Sequence, residues 1–400
     1  MKQEPSTDSR LRRLRPPPPL LLLLLELALA AALSATVYTL TRSDIVWVVS
    51  GVAAGWAASA LFRALGHAQP PNRPVRMLGQ ILVGVGLGPL LAEQDLAAVS
   101  GDLPVVVLSV GLTLLGGLLV AWLLSRTRTV DPTTAGLATM PGGMGLMASI
   151  AAETGRPAPY VALVQGVRVA LVVSAAPMVV IALGHATHAG NHALTVIPDD
   201  GFGWFYWPAL IIAGVVAAQL ATRWKVPVPY LMGPMVAGMI AAFAIRMSDL
   251  GPEATILPSS HSIVGQILLG ITIGEFLSQP AGLPRRILLR GFAGSVATVL
   301  LAFAGAWALS AATGWSYLTA MLVLAPGGAP EMIVLAAAVP DGLAIVVAAQ
   351  LLRQIAVNAL MPLWLAIFKR WRNTAEPPPD SQPSRTESDL STSSAQRSST

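Results

Sequence analysis

The sequence predicts an all-α polytopic membrane protein that contains two copies of one helical repeat. Three observations support this fold class. Hydrophobic residues make up 54% of the chain and charged residues only 11%, whereas soluble domains carry roughly 25% charged residues. Uncharged apolar runs, such as LPVVVLSVGLTLLGGLLVAWLL from Leu103, are long enough to cross ~30 Å of hydrocarbon. The motif Pro-Gly-Gly occurs twice inside apolar segments that resemble each other.

The apolar runs predict five membrane spans in each half of the chain. Those of the first half cover residues 20–40, 45–61, 77–92, 103–124 and 159–184. Those of the second half cover residues 204–222, 228–246, 257–277, 288–312 and 343–367. The first run follows basic residues and resembles a secretory signal peptide. It continues past Tyr38, which favours a retained helix over a cleaved one.

Matched residues in the two halves indicate an internal duplication. One register without a gap aligns the following pairs: Pro141, Gly142 and Gly143 with Pro326, Gly327 and Gly328; Met147 with Met332; Gln165 with Gln350; Arg168 with Arg353; and Pro177 with Pro362. Upstream, GQILVGVGLG at 79–88 matches GQILLGITIG at 265–274 after a shift of one residue. Such repeats constrain a fold more strongly than other patterns do.

The distribution of lysine and arginine predicts the orientation of the spans. If both Pro-Gly-Gly segments dip into the membrane and return, most basic residues fall on the side of the N-terminus, and Arg42 and Arg246 are the exceptions. The positive-inside rule makes this side cytoplasmic, so we expect both termini to lie in the cytoplasm. Five spans and one re-entrant hairpin in each half would invert the second half relative to the first, as in many secondary transporters.

The chain ends and the central linker differ in composition from the spans. We expect a basic, proline-rich cytoplasmic tail at 1–18, membrane repeats at 19–184 and 204–370, an extracytoplasmic linker at 185–203 and a disordered cytoplasmic tail at 371–400. The linker carries His185, His188 and His192. We interpret them as part of a flexible polar loop rather than as metal ligands.

The Pro-Gly-Gly motifs predict a ligand site between the two halves. Proline interrupts a helix and Gly-Gly permits a chain reversal, and irregular backbone within a membrane is tolerated only around a protein-lined cavity. Two breaks at matching positions therefore indicate a binding site between them. Helix N-termini at the hairpin tips would attract anions.

Candidate site residues lie on and near these motifs. We predict substrate contacts for ten of them: Pro141, Gly142, Gly143, Gln165, Arg168, Pro326, Gly327, Gly328, Gln350 and Arg353. Each arginine lies about ten residues into its span, and hence ~15 Å deep, where a buried guanidinium is functional or paired. The structural alternative, in which each arginine caps carbonyls freed by its break, has equal weight.

Glu331 follows the second motif, and Leu146 occupies the matching position in the first half. A carboxylate beside a broken helix could carry a coupling proton or bind sodium. The alternative is a salt bridge to Arg353.

Other residues in the spans favour structural interpretations. We expect Glu26 to lie at the lipid interface or between helices, and Glu153 and Glu275 to be solvated near span ends. The spacing of Gly84, Gly88, Gly270 and Gly274 is typical of close helix packing.

The paired PGG and QxxR segments, together with the GQ-[IL]-L-x-G helices, resemble the membrane AbrB-duplication family over about residues 20–370. Members of that family carry two labels, regulator of gene expression and ammonia monooxygenase. The resemblance implies a bacterial inner-membrane protein. The predicted architecture is also similar to the cation/proton antiporter and anion transporter folds.

These observations favour a secondary transporter of a small anionic or zwitterionic metabolite. The alternative is a membrane sensor or regulator that binds a ligand without moving it. An enzyme is a third reading, but the sequence offers no nucleophile elbow, Walker loop, dinucleotide fingerprint or HExxH motif. The chain has no cysteine. We expect no cofactor, no metal and no nucleic-acid partner. The expected partners are the lipid bilayer, a small-molecule ligand and, by analogy with such transporters, a second copy of the chain.

Overall fold

The computed structural model describes residues 19–41, 46–67, 69–127, 130–182, 201–248, 259–279, 284–337, 339 and 342–375. Within these ranges the chain forms fifteen α-helices and no strand. The predicted tail at 1–18, most of the linker with its three histidines, and most of the C-terminal tail lie outside the described residues.

The helices follow the same order in each half, with four long helices, two short ones and a further long segment. The first half contains α1 (Pro19–Thr41), α2 (Val46–Ala64), α3 (Arg73–Ala92), α4 (Leu96–Arg126), α5 (Pro132–Thr139), α6 (Met144–Glu153) and α7 (Ala158–Ala182). The second half contains α8 (Gly201–Arg223), α9 (Pro229–Arg246), α10 (Ser259–Ser278), α11 (Arg285–Thr313), α12 (Tyr317–Leu324), α13 (Ala329–Ala336), α14 (Leu343–Ala359) and α15 (Met361–Ala375).

Among the described residues, nine helices are long and apolar enough to cross a membrane, and a tenth span results if α14 and α15 count as one bent segment. The prediction of an all-helical, polytopic membrane protein is therefore confirmed. The orientation of the spans, and with it the inverted relation of the halves, stays a prediction.

The last predicted span, 343–367, is divided in the structure. The axes of α14 and α15 differ by 60° across Leu360. Pro362 is the second residue of α15, where its ring and its missing amide hydrogen prevent continuation of the preceding helix. The predicted span at 343–367 therefore corresponds to a bent pair of helices, and the bend was not foreseen from the sequence. The aligned Pro177 lies within α7, which runs on to Ala182.

Glycine faces bring backbones together, as the small-residue spacing predicted. A Cβ atom added to any of the four glycines would lie 2.2–2.6 Å from a backbone oxygen of the facing helix. The four are Gly84 and Gly88 of α3, which face α9, and Gly270 and Gly274 of α10, which face α2. The interpretation of close helix packing is confirmed, because only glycine leaves room for this approach.

The principal contacts join one half to the other. Helix α2 packs on α10, and α3 packs on α9, so each half contributes one glycine-bearing helix to each pair. Two further contacts, between α4 and α14 and between α7 and α11, also join one half to the other and correspond to each other in the repeat. The packing thus has the same pairing when the halves are exchanged, in agreement with the repeat seen in the sequence.

The two short helical pairs differ in burial. Helices α12 and α13 lie in the largest apolar core, and Leu318–Leu324 and residues 329–336 are all buried. Helix α5 is equally buried, but α6 leaves one face open, with Gly145, Leu146 and Ser149 exposed. A space therefore borders α6 on one side.

Candidate functional site

The first break is formed by local sequence signals. Asp131 caps α5 by accepting hydrogen bonds from the amides of Thr133 (3.1 Å) and Thr134 (3.2 Å), and Pro132 occupies the first helical position. The helix ends at Thr139, just before Met140 and Pro141. Gly143 then adopts a φ of +86°, which favours glycine, and α6 begins.

The second break has the same plan. The hydroxyl of Ser316 accepts a hydrogen bond from the amide of Thr319 (3.1 Å) at the start of α12. Ala325 and Pro326 end that helix, and α13 begins after Gly328. Neither Gly143 nor Gly328 provides a side-chain cap. The first amide groups of α6 and α13 therefore have no side-chain partner at these caps.

Two glutamines satisfy carbonyls at the breaks. The side-chain amide of Gln165 donates to the carbonyls of Leu137 and Met140, both at 2.8 Å. Gln350 donates to Leu322, also at 2.8 Å. Because Leu137 and Leu322 occupy aligned positions, the duplication extends to individual hydrogen bonds.

Arg168 and Arg353 cap further carbonyls, as the structural alternative expected. Arg168 is 1% exposed; its Nη1 donates to Thr139 O (2.7 Å) and its Nε to Pro326 O (2.7 Å). Arg353 is 3% exposed and donates to Ala325 O (2.7 Å) and Gly327 O (3.1 Å). Each guanidinium also donates to the glutamine one turn earlier. Arg168 thus contacts both breaks, whereas Arg353 contacts only that of its own half.

A cavity of about 450 Å³ lies between the two breaks. Six of the ten predicted substrate contacts line it: Gly142, Gly143, Gln165, Arg168, Gly327 and Gly328. The other four do not line it: Pro141, Pro326, Gln350 and Arg353. The wall also contains polar residues that the sequence did not single out as substrate contacts: Asn72, Arg73, Arg76, Gln80, Ser149, Tyr230, Thr272 and Gln354.

Glu331 forms a salt bridge to Arg76, with 3.1 Å between Oε1 and Nη2. The side chain of Glu331 is fully buried and that of Arg76 is 23% exposed. Glu331 lies in the first turn of α13, where a carboxylate is favoured by the helix dipole. The alternative expectation, a salt bridge between Glu331 and Arg353, was wrong. Arg353 instead donates to two backbone carbonyls and to the side chain of Gln350.

The environments of the other acidic residues agree with two of the predictions made for them and contradict a third. Glu26 is 1% exposed and accepts a hydrogen bond from the hydroxyl of Ser59 (3.3 Å), so it lies between α1 and α2. Glu153 is exposed, as expected. Glu275 is 4% exposed, and its carboxylate accepts a hydrogen bond from the backbone amide of Asn72 (2.8 Å). The prediction of a solvated side chain was therefore wrong. The start of α3 folds back over α10 and covers this carboxylate.

Strained backbone also borders the cavity. Val228, which lies between Pro227 and Pro229 and lines the wall, has φ 48° and ψ 56°. A β-branched residue is rarely found in this left-handed region, and the strain costs of order 1–3 kcal/mol. Strain of this kind is concentrated at binding sites.

Replacement of Val228 by glycine is expected to change the free energy of unfolding by less than about 0.5 kcal/mol, because the relief of strain at positive φ offsets the lost packing of the side chain and the added entropy of the unfolded chain. Denaturant unfolding of the detergent-solubilised protein measures the change. Val236→Gly within α9 is the matched control and should destabilise by about 1 kcal/mol. Equal destabilisation by both changes would show that Val228 carries no strain.

Among the described residues, no group of three or more histidine, cysteine, aspartate or glutamate side chains could hold a metal ion. His261 lies buried within α10, where its Nε2 lies 2.5 Å from the position that a Cβ atom on Gly86 of α3 would take. The loop histidines lie outside the described ranges.

Comparison with known proteins identifies similar chains. The family model described as "Transition state regulatory protein AbrB" matches residues 47–369. A relative from Bacillus subtilis (strain 168), named "Uncharacterized protein YhjN", is 31% identical over 355 residues, which cover 84% of this chain and 90% of the relative. A relative from Escherichia coli (strain K12), named "Putative regulator AbrB", is 26% identical over 298 residues, which cover 74% of this chain and 83% of the relative.

Proposed function

This chain belongs to the AbrB family, and from that premise we propose that it is an inner-membrane secondary transporter of a small anionic or zwitterionic metabolite. The observation that carries the proposal is the cavity between the two Pro-Gly-Gly breaks, whose wall contains the glycine turns of both halves. Broken helices that meet in a membrane are typical of transporter substrate sites.

The composition of the cavity wall favours an anionic group on the ligand. Among the described residues, the wall contains three arginines, Arg73, Arg76 and Arg168, and no acidic side chain. The glycine turns before α6 and α13 also lie in the wall, and helix N-termini attract negative charge. The volume lies within the range of small-molecule sites, roughly 300–1,000 Å³.

The arrangement of the halves supports movement of the ligand rather than chemistry on it. The two halves form equivalent contacts with each other, and in transporters of this kind one repeat moves relative to the other around a central site. We therefore propose a non-catalytic role without a cofactor. Glu331 is the proposed ion-coupling residue, and both termini are proposed to lie in the cytoplasm.

Thermal unfolding in detergent tests ligand binding at this cavity. A panel of sodium salts (acetate, succinate, phosphate and glutamate), compared with sodium chloride at equal ionic strength, should contain a ligand that stabilises the wild type. A ligand at one hundred times its Kd contributes about 2.7 kcal/mol. Ser149→Trp, which adds bulk at the exposed wall position on α6, should remove this stabilisation.

The matched control is Val107→Trp on α4, which is 53% exposed and does not line the cavity. This variant should keep the full response. The same ligand, enclosed in proteoliposomes, should then leave them in the presence of the wild type and not of Ser149→Trp. An equal response of both variants in the unfolding measurement would place any ligand elsewhere and contradict the proposed site.

The second candidate function is a membrane-bound regulator of gene expression that binds a ligand without moving it. The names of the matching family model and of the Escherichia coli relative favour it. The proteoliposome measurement separates the two functions. Stabilisation by a ligand that Ser149→Trp abolishes, without any flux in the wild type, would favour the regulator.

A further inference from the structure

We infer that Arg76 anchors a carboxylate group of the ligand, and that the carboxylate of Glu331 and that of the ligand are alternative partners of this one guanidinium. The inference rests on the proposed function and makes it more specific, since it assigns both the class of ligand and the residue that exchanges with it.

Arg76 is the cavity arginine with a buried donor that has no partner. Its Nη2 donates to Glu331, while its Nη1 is buried and has no hydrogen-bond partner. Arg168 also lines the wall, but its Nε, Nη1 and Nη2 all donate to oxygens of the breaks and of Gln165. Arg73 is exposed. A guanidinium prefers two parallel hydrogen bonds to one carboxylate, and Arg76, which lines the cavity, forms only one, through Nη2.

The partner that Arg76 already has indicates the chemistry of the ligand. Glu331 offers Oε1 to Arg76, and its Oε2 is buried without a hydrogen-bond partner. The Oε2 atom instead lies against Gly328, within 2.0 Å of the position that a Cβ atom would take there. A ligand carboxylate, which is not held in place by α13, can accept hydrogen bonds from both Nη1 and Nη2 of Arg76. It can therefore displace Glu331, which accepts only one hydrogen bond from this guanidinium.

Displacement would leave the Glu331 carboxylate without a cation. The elements packed on α13 are α3, α7, α12 and α14, and their ionisable groups are Arg73, Arg76, Tyr160, Arg168, Tyr317 and Arg353. Arg168 and Arg353 donate to carbonyls of the breaks, Arg73 is exposed, and Tyr317 donates to Phe303 O. Since an unpaired buried carboxylate is costly, removal of the Glu331 charge should favour binding of the ligand carboxylate.

The exchange site is single because the repeat does not reproduce it. Continuing the alignment of the two GQ-[IL]-L-x-G segments places Ser262 opposite Arg76, and Leu146 opposite Glu331. Neither counterpart is charged. Among the described residues, the ion pair therefore joins the halves at one position, and the position related to it by the repeat has no ion pair. The asymmetry predicts one bound carboxylate for each chain.

A double-mutant cycle on the detergent-solubilised full chain tests the inference. Apparent affinities for sodium acetate, succinate and benzoate are measured by thermal unfolding in wild type, Arg76→Gln, Glu331→Gln and the double variant. Removing the competitor in Glu331→Gln should raise the affinity for at least one carboxylate about tenfold, the equivalent of one charge-assisted hydrogen bond. Arg76→Gln should weaken it about tenfold or more, and adding Glu331→Gln to Arg76→Gln should give no gain.

Two controls separate this exchange from general electrostatics and from misfolding. The ion pair between Arg246 and Glu93 (3.3 Å) lies on the surface, and Glu93→Gln should leave carboxylate affinity unchanged. If Arg76→Gln does not elute as folded protein, Arg76→Lys replaces it; with its single ammonium it should bind carboxylates more weakly than wild type.

The outcomes distinguish the inference from the proposed function. Stabilisation by phosphate alone, or carboxylate binding that is lost in Ser149→Trp but unchanged in all Arg76 and Glu331 variants, would overturn the inference and leave the transporter proposal intact. No response to any salt, in wild type or in Glu331→Gln, would overturn both.

Discussion

Replacement of Arg168 by alanine is expected to lower the free energy of unfolding by about 3–5 kcal/mol, the largest loss at any single site residue. The change leaves the carbonyls of Thr139 and Pro326 without their donors, and it removes the partner of Gln165. These carbonyls and the Gln165 side chain are buried, and buried polar groups that lose their hydrogen-bond partners are costly. Unfolding by urea in detergent, followed by circular dichroism, measures the loss.

Three variants complete this measurement. Arg353→Ala removes donors from the carbonyls of only one break, so its effect should be smaller than that of Arg168→Ala. Arg168→Lys keeps the charge but not the planar array of donors, and it should restore less than half of the loss. Arg246→Ala removes an exposed ion pair and should cost at most about 1 kcal/mol. A loss in Arg168→Ala no greater than that in Arg246→Ala would disprove the capping role.

Replacement of Gly274 by valine is expected to reduce the free energy of unfolding by about 3 kcal/mol, at the upper end of typical overpacking effects. A Cβ atom at this position would lie 2.3 Å from Val52 O and 2.4 Å from Trp56 N. Both atoms belong to the backbone of α2, so the two helices must separate and the glycine face loses its contacts. The fraction of monodisperse protein after size-exclusion chromatography and the urea midpoint measure the effect.

The matched variant for this prediction is Gly111→Val. Gly111 lies in α4, and a Cβ atom added there has no neighbour within 4 Å. It controls for the change in helix propensity, so the difference between the variants isolates the contact between helices. Gly88→Val, at the α3–α9 contact, should behave like Gly274→Val because its Cβ position lies 2.4 Å from Met235 O. Equal midpoints for Gly274→Val and Gly111→Val would contradict the importance of close backbone approach.

Much of the helical framework was predictable because each span carries its own signal. Long apolar runs bounded by basic, glycine or proline residues located nine helices, and glycine spacing located the faces of α3 and α10. The bend between α14 and α15 was missed because an aligned proline, Pro177, lies within α7, which continues beyond it. The same residue type therefore ends a helix at one position and not at the other.

The site was predictable only where it lies in the repeat. Gln165, Arg168 and the glycine turns were found because they occur twice at one spacing. Arg76 has no such signal, since it is linked to the second break by a long-range contact to Glu331. The burial of Glu275 likewise depends on a long-range contact, to Asn72. Arg76 also precedes the apolar run of its helix and resembles an ordinary flanking charge. Its role follows from tertiary structure alone.

The contacts between halves have a consequence for the origin of the protein. The glycine face of α3 is covered by α9, and that of α10 by α2, so neither half covers its own face. An ancestral gene that encoded one half would have produced a chain that folds only by pairing with a second copy. Fusion of two such genes supplies the partner at a high effective concentration, independent of expression level. It also allows the two copies to differ: Arg76 of the first half is aligned with Ser262, and Glu331 of the second half with Leu146, so each half supplies one charge of the ion pair.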